Sequence, residues 1–436
     1  MDWRLHDETG TEGDRQGSQA EGGTSGDLAS TGRVPLRHYL VPLLFAIGLV
    51  FPGPVSSAGT CEGSPCRTRL AQAADSQYEA LQEDPLAHFD ALIFDGRSKG
   101  NLGDLTGAMR SYRLALQVAD DWIAGDPSDD GGPELRSIAL DGIGETKMAQ
   151  GELNGALAAF TESLKIREKL SKKYLWIPEL RLSVAVSHDR LGRLWLAMGQ
   201  ARRAVESFEA GRAAIEALME IDPSNEEATI ALFIAHGTVG EAWRNAGKLE
   251  KALESFRAEL AIVERRAEAA PGDVERRMDV ALSFQHIGNV QYDRHEFEDS
   301  RRMFNKCLEI VEGLLAQQST RVDWQNQLAK CKTYVGDAHF MLGHSEEALS
   351  AYRDGLALSE RLSAQDPTNV DWRRDVMVSH AAISRLHDDG TISATAAREH
   401  LEEALSIALE LEESGRLPPR DAGIPAELRT QLRDLN

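Results

Sequence analysis

Between residues 86 and 414 apolar positions recur at steps of three and four. Leu253, Phe256, Leu260, Val263 and Ala267 are one such stripe, which predicts an amphipathic helix. The stripes themselves recur. Glycines stand at 96, 144, 192, 240, 288 and 336, each step being 48 residues, with Ser384 next in line. A second set follows seven residues later, Gly103, Gly151, Gly199, Gly247 and Gly343, with His295 as the exception. Ala108, Ala156, Ala204, Ala252 and Ala348 form a third set, interrupted by Ser300. A fourth is Tyr112, Phe160, Phe208, Phe256, Phe304 and Tyr352, and prolines 127, 223, 271 and 367 fall on the same lattice. A fixed period of this length marks a repeat architecture. Each period reads as two helices, joined by a short turn such as Ala246-Gly-Lys-Leu249. Asp222-Pro-Ser-Asn225 separates one period from the next: proline stops one helix, and Ser or Asn caps the next. The expectation is fourteen long helices over 86–414, all-α.

The spaced residues resemble the tetratricopeptide repeat family, whose pattern is W-x2-L-G-x2-Y, then A-x3-F, then P. The chain has His188-x2-Leu191-Gly192-x2-Trp195, Ala204-x3-Phe208 and Pro223. It repeats this as His236-x2-Val239-Gly240-x2-Trp243, Ala252-x3-Phe256 and Pro271. The likeness covers about 86–390, and a degenerate seventh repeat follows around Ala397 to Leu401. The family's usual period is 34. Of the 14 additional residues here, seven lie between the Phe and the Pro and seven between the Pro and the next Gly. Seven residues are nearly two α-helical turns, so both helices lengthen and keep their buried faces aligned. The resemblance implies a right-handed superhelical solenoid of about six full repeats plus the seventh, stacked because one repeat cannot bury its face alone.

It also implies a function. In the family the first helix of each pair lines a concave groove that takes a peptide or protein segment. Carrying those groove phases over gives Asp141, Glu145, Asp189, Arg193, Glu241, Arg244, Gln285, Asn289, Tyr292, Lys330, Asp337, Phe340 and Arg385. Asn289 and Lys330 occupy phases used by members that clamp a terminal carboxylate. The remaining clamp residues are missing, so that activity is not expected.

Upstream of the array, residues 1–32 are polar, acidic and without apolar periodicity, a disordered composition. Arg33, Arg37 and His38 precede an apolar run from Tyr39 to Phe51, and Ser56 and Ala58 give a small-x-small end. Residues 33–58 thus resemble a bacterial secretory signal peptide cleaved after Ala58. An uncleaved membrane anchor is the alternative, and so is a cytosolic chain. Translation starting at Val34 would account for the acidic leader. Residues 59–85 read as linker and capping helix, the helix falling on 67–83. Residues 415–436 read as a polar tail with a short helix near 425–433.

The chain has 436 residues, 48 Lys plus Arg against 70 Asp plus Glu, and a net charge of −22. Of this, −19 belongs to the part after residue 58. The balance argues against nucleic acid, whose phosphates need excess cations, and against a peripheral hold on anionic lipid. Cys61 and Cys66 flank a Glu-Gly-Ser-Pro turn and could pair in an oxidising compartment; Thr60 makes Cys61 a poor lipidation site. Cys307 and Cys331 lie twelve residues either side of position 319. Two buried small residues is the simplest reading. A disulfide, which needs Cα atoms within about 7 Å, is the other.

His188, His236 and His380 share one phase, and His339 and His387 another. Equivalent residues in stacked helices sit roughly 10 Å apart, too far for shared ligation. Asp141-Gly-Ile-Gly-Glu-Thr-Lys147 has neither the spacing nor the preceding strand of a phosphate loop. No catalytic arrangement, cofactor or metal site is expected. The leading reading is a non-enzymatic interaction scaffold, exported or membrane-tethered. Its alternative is a cytosolic regulatory arm acting by oligomerisation.

Overall fold

The structure, a computed structural model, describes residues 84–418 and 421–435. The leader 1–32, the segment 33–58, the helix expected at 67–83 and the Cys61/Cys66 pair lie outside the described residues. Among the described residues there are fifteen α-helices, one 3-10 turn and no strand. In chain order they are α1 (Pro85–Asn101), α2 (Leu105–Gly125), α3 (Gly131–Ala149), α4 (Leu153–Lys173), α5 (Pro178–Ala197) and α6 (Ala201–Ile221). Next come α7 (Glu226–Asn245), α8 (Leu249–Ala269), α9 (Val274–Asp293), α10 (Phe297–Leu315), α11 (Val322–Met341) and α12 (Ser345–Gln365). The last are α13 (Val370–Ser384), the 3-10 turn Arg385–His387, α14 (Ala394–Glu413) and α15 (Ile424–Asp434). The described residues form two compact units, 84–242 and 243–435, and the division falls within α7. In each unit, helices adjacent in sequence pack against one another as antiparallel pairs.

The lattice residues explain this geometry. A Cβ added at Gly96, Gly144, Gly192, Gly288 or Gly336 would come within 3.0 Å of the ring of Tyr112, Phe160, Phe208, Phe304 or Tyr352, respectively. Glycines at a helix crossing let two backbones approach. Here they do more: each leaves room for the aromatic ring sixteen residues on, carried by the second helix of the same pair. Those rings are buried, and the lattice alanines beside them, Ala108, Ala156, Ala204, Ala252 and Ala348, are fully so.

The second glycine set closes the first helices. Gly103, Gly151, Gly199, Gly247 and Gly343 all have φ between 69° and 80°. The amide of Gly199 donates to the Leu196 carbonyl at 2.9 Å and that of Gln200 to the Trp195 carbonyl at 2.8 Å. This pair of bonds is a Schellman closure, which satisfies the last carbonyls of a helix. His295 makes the same closure at φ 62° and is the one non-glycine in this conformation among the described residues. The turns between repeats are capped by side chains. Asp222 accepts from the Ser224 amide at 3.1 Å, and Asn225 from the Ala228 amide at 2.8 Å. Asp366 and Asn369 repeat the arrangement at Thr368 and Trp372.

Cys307 on α10 and Cys331 on α11 are fully buried, and a disulfide joins them, with Cα atoms 6.4 Å apart. The covalent alternative therefore holds over the plainer reading. Residues 421–435 are docked rather than loose. Ile424 and Leu428 join the core of α13 and α14, and the buried Asp421 accepts from Arg374 Nε at 2.8 Å.

Phe208→Ala and Phe256→Ala should each cost about 3–5 kcal/mol, as for other buried aromatics. Because a repeat protein sums local terms, amide exchange should accelerate mainly in the unit that carries the change. His295→Gly should stabilise by about 0.5–1 kcal/mol: it removes the left-handed penalty of a β-carbon, partly offset by glycine's unfolded-state entropy. Denaturant midpoints at unchanged slope would measure both.

Candidate functional site

The first helices were expected to present thirteen groove residues. The structure sorts them by burial. In the unit 84–242, Glu145 and Arg193 are exposed, and Asp189 and Glu241 are half-buried. Arg193 Nε pairs with Asp189 at 2.8 Å along α5. Asp141 is buried, and it lies between two guanidinium groups, Arg167 at 2.6 Å and Arg190 at 3.0 Å. Arg190 also pairs with Glu145 at 2.8 Å, and Arg167 donates to Ser187 Oγ at 2.8 Å. Next to them Glu134 is fully buried. Desolvation pushes its carboxyl above the ordinary range; the Arg167 charge works the other way, and the Asp141 charge adds to the rise. This cluster ties α3, α4 and α5 together.

In the unit 243–435, Arg244, Gln285, Asn289, Tyr292 and Asp337 are all buried. Arg244 Nε lies 2.6 Å from Asp293, and Gln285 accepts from Gln327. Tyr292 packs edge-on against Phe297. Asp337 accepts from Tyr352 Oη and from Arg385, each at 2.8 Å, while Arg385 lies over the Phe340 ring. Lys330, Phe340 and Arg385 are half-buried. A cavity of about 50 Å³ opens between α11 and α13. Its lining includes Lys330, Thr333, Tyr334 and Asp337 from α11, Ser359 from α12, and Arg374, Asp375 and Ser379 from α13.

The expected groove set is thus corrected at six positions. Asp141, Arg244, Gln285, Asn289, Tyr292 and Asp337 are not open contact residues. Asp141, Arg244, Gln285 and Asp337 bond to side chains of the following repeat, and Asn289 and Tyr292 are buried beside them. Exposed or half-buried side chains remain at Glu145, Asp189, Arg193, Glu241, Lys330, Phe340 and Arg385. The family phases did not point to Arg190, Arg374 or Asp375. Arg374 and Glu134 share a lattice phase that elsewhere carries Leu182, Ile230, Met278 and Asn326. A phase split between apolar and polar residues is the signal that could have pointed to Arg374.

Of the aligned histidines, His380 on α13 meets His400 on α14, with Nδ1 atoms 2.8 Å apart. Burial, together with the His400 ring, pushes His380 down to about 4; His400 is lowered by burial and by Arg353. Glu360 lies 3.9 Å from His380 Nε2, too far to reverse this.

Two outcomes follow. Asp141→Ala should cost about 3–5 kcal/mol, because it strands the buried Arg167 charge, whereas Glu145→Ala should stay within about 0.5 kcal/mol; urea unfolding compares them. The unfolded chain binds the His380 proton more readily than the folded one, so stability should rise as pH goes from about 4 to 6.5. The thermal midpoint of His380→Gln should change less over that window than that of the parent chain.

No family model matches the sequence, and no curated protein matches it. Solved structures do. The apo form of RapI superposes with a TM-score of 0.50 at 13% identity, over 84% of this chain and 94% of that one. A signal-transduction ATPase with a tetratricopeptide repeat sensor, from Pyrococcus horikoshii, gives 0.52 at 11% identity, over 93% of this chain and 53% of that one. A tetratricopeptide repeat protein from Parabacteroides merdae gives 0.40 at 16% identity, over 80% and 98%. At these identities the first two likenesses show the fold alone: the chain is an all-α helical solenoid of the tetratricopeptide type.

Proposed function

We propose that the chain is a non-enzymatic interaction scaffold that receives a peptide or protein segment along its first helices. The observation that carries this reading is the charge of both signs that these helices leave at the surface: exposed Glu145 and Arg193 with half-buried Asp189 in one unit, and half-buried Lys330 and Asp375 in the other. A surface of both signs suits a segment bearing both signs. Complementary charge should raise the association rate more than the final affinity, and salt should slow association. A photo-crosslinking amino acid placed at Lys330 or Arg193 should trap the partner, and one at Glu206 or Glu254, exposed on second helices, should not. Trapping only from Glu206 and Glu254 would move the binding face to the second helices.

Our reading places the chain outside the cytoplasm or tethered to a membrane. The Cys307–Cys331 bond supports it, since disulfides persist in oxidising compartments, and so do the basic flank and apolar run of residues 33–58. Among the described residues no helix is long and apolar enough to cross a membrane. The intact mass of the protein from its native host should fit cleavage after Ala58 or an intact anchor, with Cys307 and Cys331 resistant to alkylation until reduced. A cytosolic regulatory arm is the second reading, favoured by the sensor role named for the repeats of the Pyrococcus horikoshii ATPase.

A further inference from the structure

The turn between α4 and α5 breaks the lattice. Where positions 127, 223, 271 and 367 carry proline, position 175 carries leucine, and the polar turn becomes Tyr174-Leu-Trp-Ile177. Tyr174 and Ile177 pack inward against the core of α1, α3 and α5. Leu175 and Trp176 point out, 58% and 74% exposed. The tip is held from beneath. Tyr174 Oη donates to Asp130 at 2.6 Å, Lys173 pairs with the same carboxylate, and the Trp176 ring stands edge-on to Tyr174.

Electrostatics at the tip also depart from the rest of the chain. Four of the nine residues from Lys165 to Lys173 are exposed lysines and one, Glu168, is acidic and 3.8 Å from Lys172; the fifth base, Arg167, is buried against Asp141. Lys165, Lys169 and Lys172 are exposed and, at i, i+4 and i+7, line one face of α4 running to the tip. The net charge of −22 governs the field at long range. Within a Debye length, about 8–10 Å at physiological salt, an approaching surface meets this cluster instead. Opposing it on the same edge are Asp126 and Asp129 of the preceding turn and Glu179 at the start of α5; Asp130 is already engaged by Lys173.

We propose that this turn is a lipid-contacting element. Trp176 and Leu175 enter the interfacial zone of an anionic bilayer, and Lys165, Lys169, Lys172 and Lys173 sit against its headgroups. Tryptophan favours that zone because its ring is apolar and its N–H stays wet, and lysines beside it gain from negative lipid. Topology agrees: odd-numbered helices start, and even-numbered ones end, on a common edge of the unit 84–242. The chain that enters α1 at Asp84, downstream of the apolar run 39–51, therefore arrives on the edge that bears Trp176. This goes beyond the groove reading and does not depend on it.

The test uses the full chain with vesicles of phosphatidylcholine, alone or mixed with phosphatidylglycerol, some carrying brominated acyl chains. The difference between the parent chain and Trp176→Phe isolates the fluorescence of this one tryptophan. On the mixed vesicles that signal should shift to the blue and be quenched by bromine. Reversing Lys169 and Lys172 to Glu, exposed changes that leave the helical spectrum intact, should weaken the response by at least about tenfold. A Trp176 signal that stays unshifted on vesicles to which the chain has bound, through its upstream segment or otherwise, overturns the proposal. So does a Trp176 response that weakens as phosphatidylglycerol increases, because the acidic turn 126–130 would then govern this edge.

Discussion

An aromatic ring resting on a bare glycine Cα, repeated every 48 residues, is the contact on which the rest of the structure depends. With Phe160 on Gly144, Phe208 on Gly192, Phe304 on Gly288 and Tyr352 on Gly336, each helix pair is set by the same steric fit. A side chain on the glycine or a smaller one in place of the ring would change the spacing of that pair alone. The left-handed closures seven residues after the first glycines then return each chain to its partner helix in the same way. With the hairpin fixed locally, the two extra turns in every helix extend the packed faces without altering the contact at their crossing.

Hydrophobic packing of that kind does not by itself specify how one pair sits on the next. The buried polar groups do. Arg190 with Asp141, Arg244 with Asp293, Arg385 with Asp337 and Arg374 with Asp421 are pairs separated by close to one period in sequence. Removing one member leaves a charge in low dielectric, which is far costlier than the pair is worth. A slip of one pair against the next would leave several such charges at once, so the network acts on register more than on total stability. The disulfide between α10 and α11 adds a covalent tie at one of these junctions.

The fold was legible because its signals repeat. Glycine, alanine, aromatic and proline positions each occur in several registers, so a single exception such as His295 did not hide the pattern, and the structure has His295 doing a glycine's task at φ 62°. The candidate site was less legible for a related reason. The phases that line a groove in the family are partly interior in this chain. Asp141 and Asp337 look like surface acids in sequence, and only the arrangement shows the guanidinium groups that make their burial tolerable. Cys307 and Cys331 had a symmetric position about residue 319 that allowed a bond without requiring one.

A whole-chain charge does not describe every contact surface. A net of −22 describes the far field, yet contact surfaces are read at a few ångströms. At that range the chain presents exposed charges of both signs, such as Glu145 and Arg193, and a basic, tryptophan-tipped turn after α4. Neither follows from composition, and the turn arises from a departure at a particular lattice position, Leu175 where the phase is mostly proline. In a repeat protein the consensus positions carry the packing. Departures that packing does not demand, and that leave polar or aromatic groups at a surface, are therefore where partner recognition has room to reside.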